Sequence, residues 1–233
     1  MASLKPKNTH VANSVETAKR YHESYRGSPA EEYVTARGLT EVAGRFGLGY
    51  VASALPGHER YAGYLCIPYI RPAGGEHGVA TCRFRCIADE CVKDPTDGLY
   101  FFQKGEKERH EGHGKYKSLP GDPPRLYNTS ALIEPSPVLV VVEGEFDTQS
   151  WTLAGIPAVG APGTGTWRDY WTPALFGYEV VYLIAEDEPG LVFMDQLAAD
   201  LPNGKVIKMT DSRDSNSVLT NFGPEALTKR IGL

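Results

Sequence analysis

Two unbroken apolar runs, Val138 to Val142 and Val180 to Ile184, constrain this chain more than any other feature. Neither alternates polar with apolar residues, so each reads as a strand covered on both faces, as in a parallel sheet flanked by helices. Helix-compatible sequence follows each run. The first is followed by a helix over about 145–153. The second is followed by a stretch that puts Leu191, Met194, Leu197, Ala198 and Leu201 on one face. Short strands are expected at Pro157-Ala158-Val159 and at Val206-Ile207, with a closing helix over about 223–231. This alternation predicts an α/β fold whose ligands gather at the carboxyl ends of the strands.

The preceding sequence has a different rhythm. Val11 to Tyr25 is helix-compatible, and Ser28-Pro29-Ala30-Glu31 starts a second helix that should stop at Gly38. Thr40 caps a third, ending near Phe46. Strands are expected over Tyr64–Ile70 and Val79–Ile87, joined through Pro72-Ala73-Gly74-Gly75, with a weaker strand at Leu99–Phe102. Pro135-Ser136-Pro137 looks like a boundary. The expected organisation is a helical segment (1–55), a mixed β subdomain (56–134) and the α/β domain (135–233).

Charge follows the same division. Residues 1–134 carry 18 Lys and Arg against 16 Asp and Glu, whereas residues 135–233 carry 6 against 13. The net charge of -5 excludes a histone-like cationic coat. No apolar run reaches the ~18 residues a membrane span needs, and the polar N-terminus has no secretory core. A cytoplasmic setting is expected, in which Cys66, Cys82, Cys86 and Cys91 are reduced thiols.

Both apolar runs end in acids. Val142 leads into Glu143-Gly144-Glu145-Phe146-Asp147, and Ile184 into Ala185-Glu186-Asp187-Glu188-Pro189-Gly190. A third acidic stretch, Asp211 to Asn216, follows the last expected strand. Carboxylates at adjacent strand ends repel unless a proton or cation intervenes, and Mg²⁺ favours such oxygen ligands. Glu143 and Asp147 should face one crevice, with Gly144 allowing the tight turn between them. The plainer alternative is that these acids only cap helix N-termini.

Glu143-Gly-x-x-Asp147 after a strand, with the Asp-x-x-Gly turn at Asp187, resembles the TOPRIM domain of primases, topoisomerases and some nucleases. The resemblance implies Glu143 as general acid/base or metal-linked residue, Asp187 and Asp214 as metal ligands, and Asp147 in the same centre. The family motif has an Asp where this chain has Ala185, so Glu186 or Glu188 would have to compensate. Upstream, Ala30 to Leu39, Arg45 to Tyr50, Ile67-Pro68-Tyr69, Arg83-Phe84-Arg85 and Gly114 to Gly121 resemble the RNA-polymerase domain of bacterial-type DNA primases. The chain is similar to a minimal, phage-like form of that core. It would make short RNA primers on single-stranded DNA from ribonucleoside triphosphates with Mg²⁺ or Mn²⁺. A separate helicase and a zinc-ribbon-bearing chain would be its partners. Alternatives are a TOPRIM nuclease and a non-catalytic nucleic-acid-binding accessory protein.

The resemblance gives phosphate-binding roles to Arg83, Arg85, Lys115, Lys117 and Arg37. Period-2 spacing puts Arg83 and Arg85 on one strand face, and surface ion pairs are the favoured reading of that face by itself. Cys86-x4-Cys91 and His110-x2-His113 have the composition of a Cys2His2 zinc site. Their spacing is looser than that of most zinc knuckles, which favours neutral thiols and loop histidines instead. Gly160 to Thr166 is glycine-rich but lacks the Gly-Lys-Ser/Thr of a phosphate loop.

Overall fold

The structure, a computed structural model, describes residues 9–73, 76–209 and 213–233. These form two units. The first comprises residues 9–36 with 43–122, and the second residues 37–42 with 123–233.

In the first unit, α1 (Thr9–Glu23) and α2 (Pro29–Ala36) follow the sequence signals closely. Ser28 Oγ accepts from the Glu31 amide at 3.3 Å, and Glu31 reaches back to the Gly27 amide at 2.6 Å, so the first turn of α2 is satisfied at both ends. A single turn, α3 (Thr40–Ala43), lies where the chain passes between the units. Strands β1 (Gly49–Tyr50), β2 (Leu65–Ala73) and β3 (Glu76–Arg85) follow. The turn residues Gly74 and Gly75 fall outside the described residues. A short helix, α4 (Asp89–Val92), and strand β4 (Tyr116–Lys117) complete an antiparallel sheet in sequence order.

Pro68 is tolerated within β2 because β1 pairs only with Leu65 and Cys66, leaving the proline at an open edge. Ala18 and Tyr21 of α1 share one core with Val51, Tyr61, Cys66, Val79, Cys82 and Phe84, so the segments expected as 1–55 and 56–134 meet in a common interior. Phe84 stacks on Tyr61 with centroids 4.0 Å apart. The expected strand at Leu99–Phe102 is not one. Only Tyr100 makes a bridge, to Lys93, and Phe101–Lys104 forms a 3-10 turn. Three successive large side chains without alternation suit a turn that buries Phe101 and packs Tyr100 edge-on against Tyr33.

The second unit holds the parallel sheet. Strands β5 (Val138–Glu143), β6 (Ala158–Ala161), β7 (Val180–Ala185) and β8 (Gly204–Lys208) lie in the order β6-β5-β7-β8. Leu139 to Val142 and Val181, Leu183 and Ile184 are fully buried, as continuous apolar strands require. Helices α5 (Glu145–Leu153) and α6 (Glu188–Ala199) follow β5 and β7. Two helices, α7 (Ser215–Phe222) and α8 (Glu225–Arg230), close the unit, where the hydrophobic pattern predicts only the second. Residues ahead of the Pro-Ser-Pro boundary also belong here, because Tyr127 exchanges backbone hydrogen bonds with Gly160 of β6 at 2.9 and 3.1 Å. Among the described residues, no helix is long and apolar enough to cross a membrane.

Candidate active site

The strand order reverses between β5 and β7. From β5 the chain goes to β6 on one side and then returns to β7 on the other. In open α/β sheets, ligands bind where the order reverses in this way. Glu143 ends β5, and Ala185-Glu186-Asp187 follow directly from β7.

Gly144 turns the chain out of β5 with φ of 83°, a conformation costly for any residue with a side chain. Glu143 is partly buried, and its carboxyl lies above the ordinary range, first because of burial and then because of the charge on Asp187. Asp187 caps α6, accepting from the Gly190 amide at 2.7 Å. A Cβ on Gly190 would come 2.6 Å from Glu143 Oε1 and 3.1 Å from Asp187 Oδ1. The glycine therefore makes room for two acids side by side. Its backbone is not in the left-handed region, so Gly190→Ala should fold, and alanine favours the helix. The expected result is a Tm close to the parent's with weakened binding of added Mg²⁺ or Mn²⁺, read by thermal melts beside metal titration. A variant that binds the cation as the parent does would show that the room is not needed.

The remaining acids converge on the start of α7. Asp147 accepts from the Asn216 amide at 2.9 Å. Glu186 accepts from the Ser215 amide at 2.9 Å and from the Ser215 hydroxyl at 2.8 Å. Asp214 caps α7 through the Ser217 amide at 2.7 Å. Glu186 is pushed well up, by burial first and then by Asp147 and Asp214. Asp214 is thus brought to the cluster, while Asp211 falls outside the described residues. Of the two acids considered as substitutes at Ala185, Glu186 lies among the others. Glu188 points elsewhere, exposed and paired with Lys208 at 2.6 Å. Ala185 itself is fully buried in an apolar cluster with Val141, Val159 and Met194.

These two raised carboxyls make one contribution to how stability depends on pH. The folded chain holds their protons longer than the unfolded chain does, so in the window between the two sets of pKa values it binds more protons. Their contribution to stability is therefore full below the ordinary carboxylate range and is lost as pH rises through the raised values. In chelator, Glu186→Gln should lose less Tm than the parent as pH rises through that window. Thermal melts in EDTA across pH check this, and an equal slope in the variant would refute it.

The expected phosphate-binding cations are placed less uniformly. Arg37 is buried in the second unit, where Nη1 donates to Asn216 Oδ1 at 3.0 Å and the guanidinium lies 4.8 Å from the Phe146 ring centroid. Its partner Asn216 is the residue whose amide holds Asp147. In the first unit, Arg83 and Arg85 do share a strand face, and both guanidiniums lie against the Tyr116 ring, at 5.3 and 4.7 Å. Arg85, however, is buried. It donates to both Glu108 oxygens, at 2.9 and 2.7 Å, and to the Tyr33 hydroxyl at 2.9 Å. Arg83 is partly buried and donates to the Tyr69 hydroxyl at 3.1 Å. The register pairs Tyr116 with Arg85 but Lys117 with Phe84, so Lys117 does not extend the arginine face. Its ammonium rests 4.6 Å from the Tyr64 ring centroid. Lys115 keeps an exposed side chain, 3.9 Å from Glu108.

Sequence reasoning took Gly190 only as the turn glycine of a motif and gave no role to Ser215, Asn216 or Glu108. Asp214, an N-cap residue type ahead of Val218 and Leu219, is the signal that would have marked the start of α7. Nothing local announces Glu108, whose partner lies 23 residues away.

No protein-family model matches the chain. Solved structures do match its fold. One is the RNA polymerase domain of Mycobacterium tuberculosis primase DnaG, in complex with a double-stranded DNA oligomer with a 6-nucleotide overhang. Its TM-score is 0.68 at 17% identity, over 94% of this chain and 78% of that one. Another is the Aquifex aeolicus primase, comprising zinc-binding and RNA polymerase domains. It matches with TM-score 0.67 at 21% identity, over 93% of this chain and 59% of that one. The fold is that of the bacterial DnaG primase catalytic core. The chain is also 37% identical over 173 residues to the Gene 57 protein of Mycobacterium phage D29, covering 73% of this chain and 99% of that protein, and it belongs to the family of that phage protein.

Proposed function

We propose that this chain is a DNA primase-type nucleotidyltransferase that makes short RNA primers on single-stranded DNA from ribonucleoside triphosphates. The observation that supports the reading is the pairing of Glu143 with Asp187, and of Glu186 with Asp147 and Asp214, past the ends of β5 and β7. Carboxylates are the ligand type a hard divalent cation prefers. The set is all oxygen, and burial first, then neighbouring acids, hold Glu143 and Glu186 above the usual carboxylate range. In TOPRIM fashion, Glu143, Asp187 and Asp214 would hold Mg²⁺ or Mn²⁺, with Asp147 and Glu186 beside them. The cation would offset charge on the triphosphate.

The chain's own residues supply the rest. Glu143, held above the usual carboxylate range, is suited to take the proton of an attacking hydroxyl. Arg37 and Asn216 keep Asp147 in place from behind. Lys115 and Lys117 remain the better candidates for phosphate contact, with Arg83 next. Arg85, locked to Glu108, would shape the surface instead. Unwinding and template selection would fall to a helicase and a zinc-ribbon-bearing chain.

Ala185 favours a second reading, because its methyl group offers no ligand where the resemblance calls for a carboxylate. A chain with one weak metal position would bind nucleic acid as an accessory and not extend it. One experiment separates these. The chain is incubated with labelled ribonucleoside triphosphates, single-stranded DNA and Mn²⁺. Short metal-dependent products support the primase, shortened DNA indicates a nuclease, and binding alone indicates the accessory.

A further inference from the structure

We propose that Cys86, Cys91, His110 and His113 form a structural zinc site inside the first unit, independent of the carboxylate crevice. Their candidate ligand atoms all lie within 4.8 Å of one another. His113 Nε2 is 3.3 Å from Cys86 Sγ and 3.8 Å from Cys91 Sγ. Two ligands of a tetrahedral zinc, with bonds of ~2.3 Å to sulfur and ~2.0 Å to nitrogen, stand about 3.6 Å apart. The observed separations straddle that value.

The histidines are already oriented for it. His113 turns Nδ1 toward the Glu111 carbonyl at 3.1 Å, which leaves Nε2 facing the thiols. His110 Nε2 is 2.9 Å from Glu108, while Nδ1 is buried and has no hydrogen-bond partner. Its side chain is only 8% exposed. A buried ring nitrogen without a partner is costly, and coordination would remove that cost. A carboxylate on the far nitrogen of a ligating histidine is the usual outer support of a zinc site. Glu108 is itself fixed by Arg85, so the support is rigid.

The fold also removes the objection raised by spacing. Cys86 follows β3 directly, and α4 carries Cys91 back toward it. The Arg109 amide then donates to the Cys91 carbonyl at 2.8 Å, and the Cys86 amide to the Lys115 carbonyl at 3.1 Å. Those two bonds bring both ends of the histidine segment against the two cysteines. Two sulfurs and two nitrogens select zinc over the hard cations expected at the crevice. The metal would clamp residues 105–115, a stretch with no helix or strand of its own.

The test is the metal content of the intact chain, purified from zinc-supplemented cells and dialysed into Mg²⁺ buffer. About one zinc per chain is expected, kept in Glu143→Gln and lost in His110→Ala and in the double variant Cys86→Ser/Cys91→Ser. Replacement by Co²⁺ should give the visible bands of tetrahedral coordination with thiolate charge transfer. Below about a tenth of an equivalent in the parent chain, or with cobalt spectra lacking thiolate bands, the proposal falls. A Cys86–Cys91 disulfide in the freshly isolated chain would also overturn it. The parent measurements decide even where a variant does not fold.

Discussion

Under the proposed primase reading, Glu143→Gln is expected to lower primer synthesis at least about 100-fold, the scale of a lost general base or charged ligand. The substitution keeps the volume and removes only the ability to carry charge or accept a proton. Its neighbours make the effect specific. Glu143 sits beside Asp187 across a glycine that leaves no spare room, so glutamine cannot swing away and be replaced by another acid. The same change removes a repulsion, and the metal-free variant should therefore melt no lower than the parent. Activity and stability move in opposite directions, which separates this outcome from simple misfolding. Synthesis within about threefold of the parent would show that the reaction does not depend on this carboxylate. Steady-state product assays paired with thermal melts provide both readouts.

Glu108→Ala should destabilise the first unit by about 3–5 kcal/mol, as expected when one partner of a buried ion pair is removed. Arg85 is 1% exposed and Glu108 4%. Without the acid, a guanidinium would stay buried between Tyr33 and Tyr116, with its main anionic partner gone. The Tyr33 hydroxyl, which donates to Glu108 at 2.5 Å, would lose its acceptor as well. A drop in Tm on the order of 10 °C follows for a chain of this size. Replacing both partners with apolar side chains should recover much of the loss, because no charge is then stranded. If the single and double variants melt alike, the pair is not what holds this region.

Legibility in the sequence tracked how local the physics was. Val138 to Val142 declared a buried strand because nothing in it is polar, and Glu143 and Asp147 were placed by their distance from its end. Asp187 was legible in the same way, from the end of the next run. What escaped were residues defined by partners far along the chain. Arg83-Phe84-Arg85 announced a shared face, yet not that Arg85 would be buried, because Glu108 lies in a loop with no pattern of its own. The choice between Glu186 and Glu188 depended on Ser215 and Lys208, at the starts or ends of elements 20 residues and more away. The polar start of α7 read as an acidic loop, since its cap outweighed its short apolar face. The strand expected at Leu99–Phe102 failed for the opposite reason. Its residues favour strands, but they do not alternate, and the pairing stops at the single Tyr100–Lys93 bridge.

The second unit is discontinuous along the chain, since residues 37–42 belong to it while 43–122 do not. Arg37 closes the gap. Its side chain and its carbonyl both bond Asn216, 179 residues later. During synthesis on the ribosome, Arg37 emerges long before its partner exists, whereas the first unit can assemble in the meantime. The segment that supports the acidic crevice must therefore wait until translation is nearly past α7, and the loop it closes encloses an already ordered body. Contacts of such separation slow folding, so completion of the crevice is expected to be a late event in the birth of the molecule.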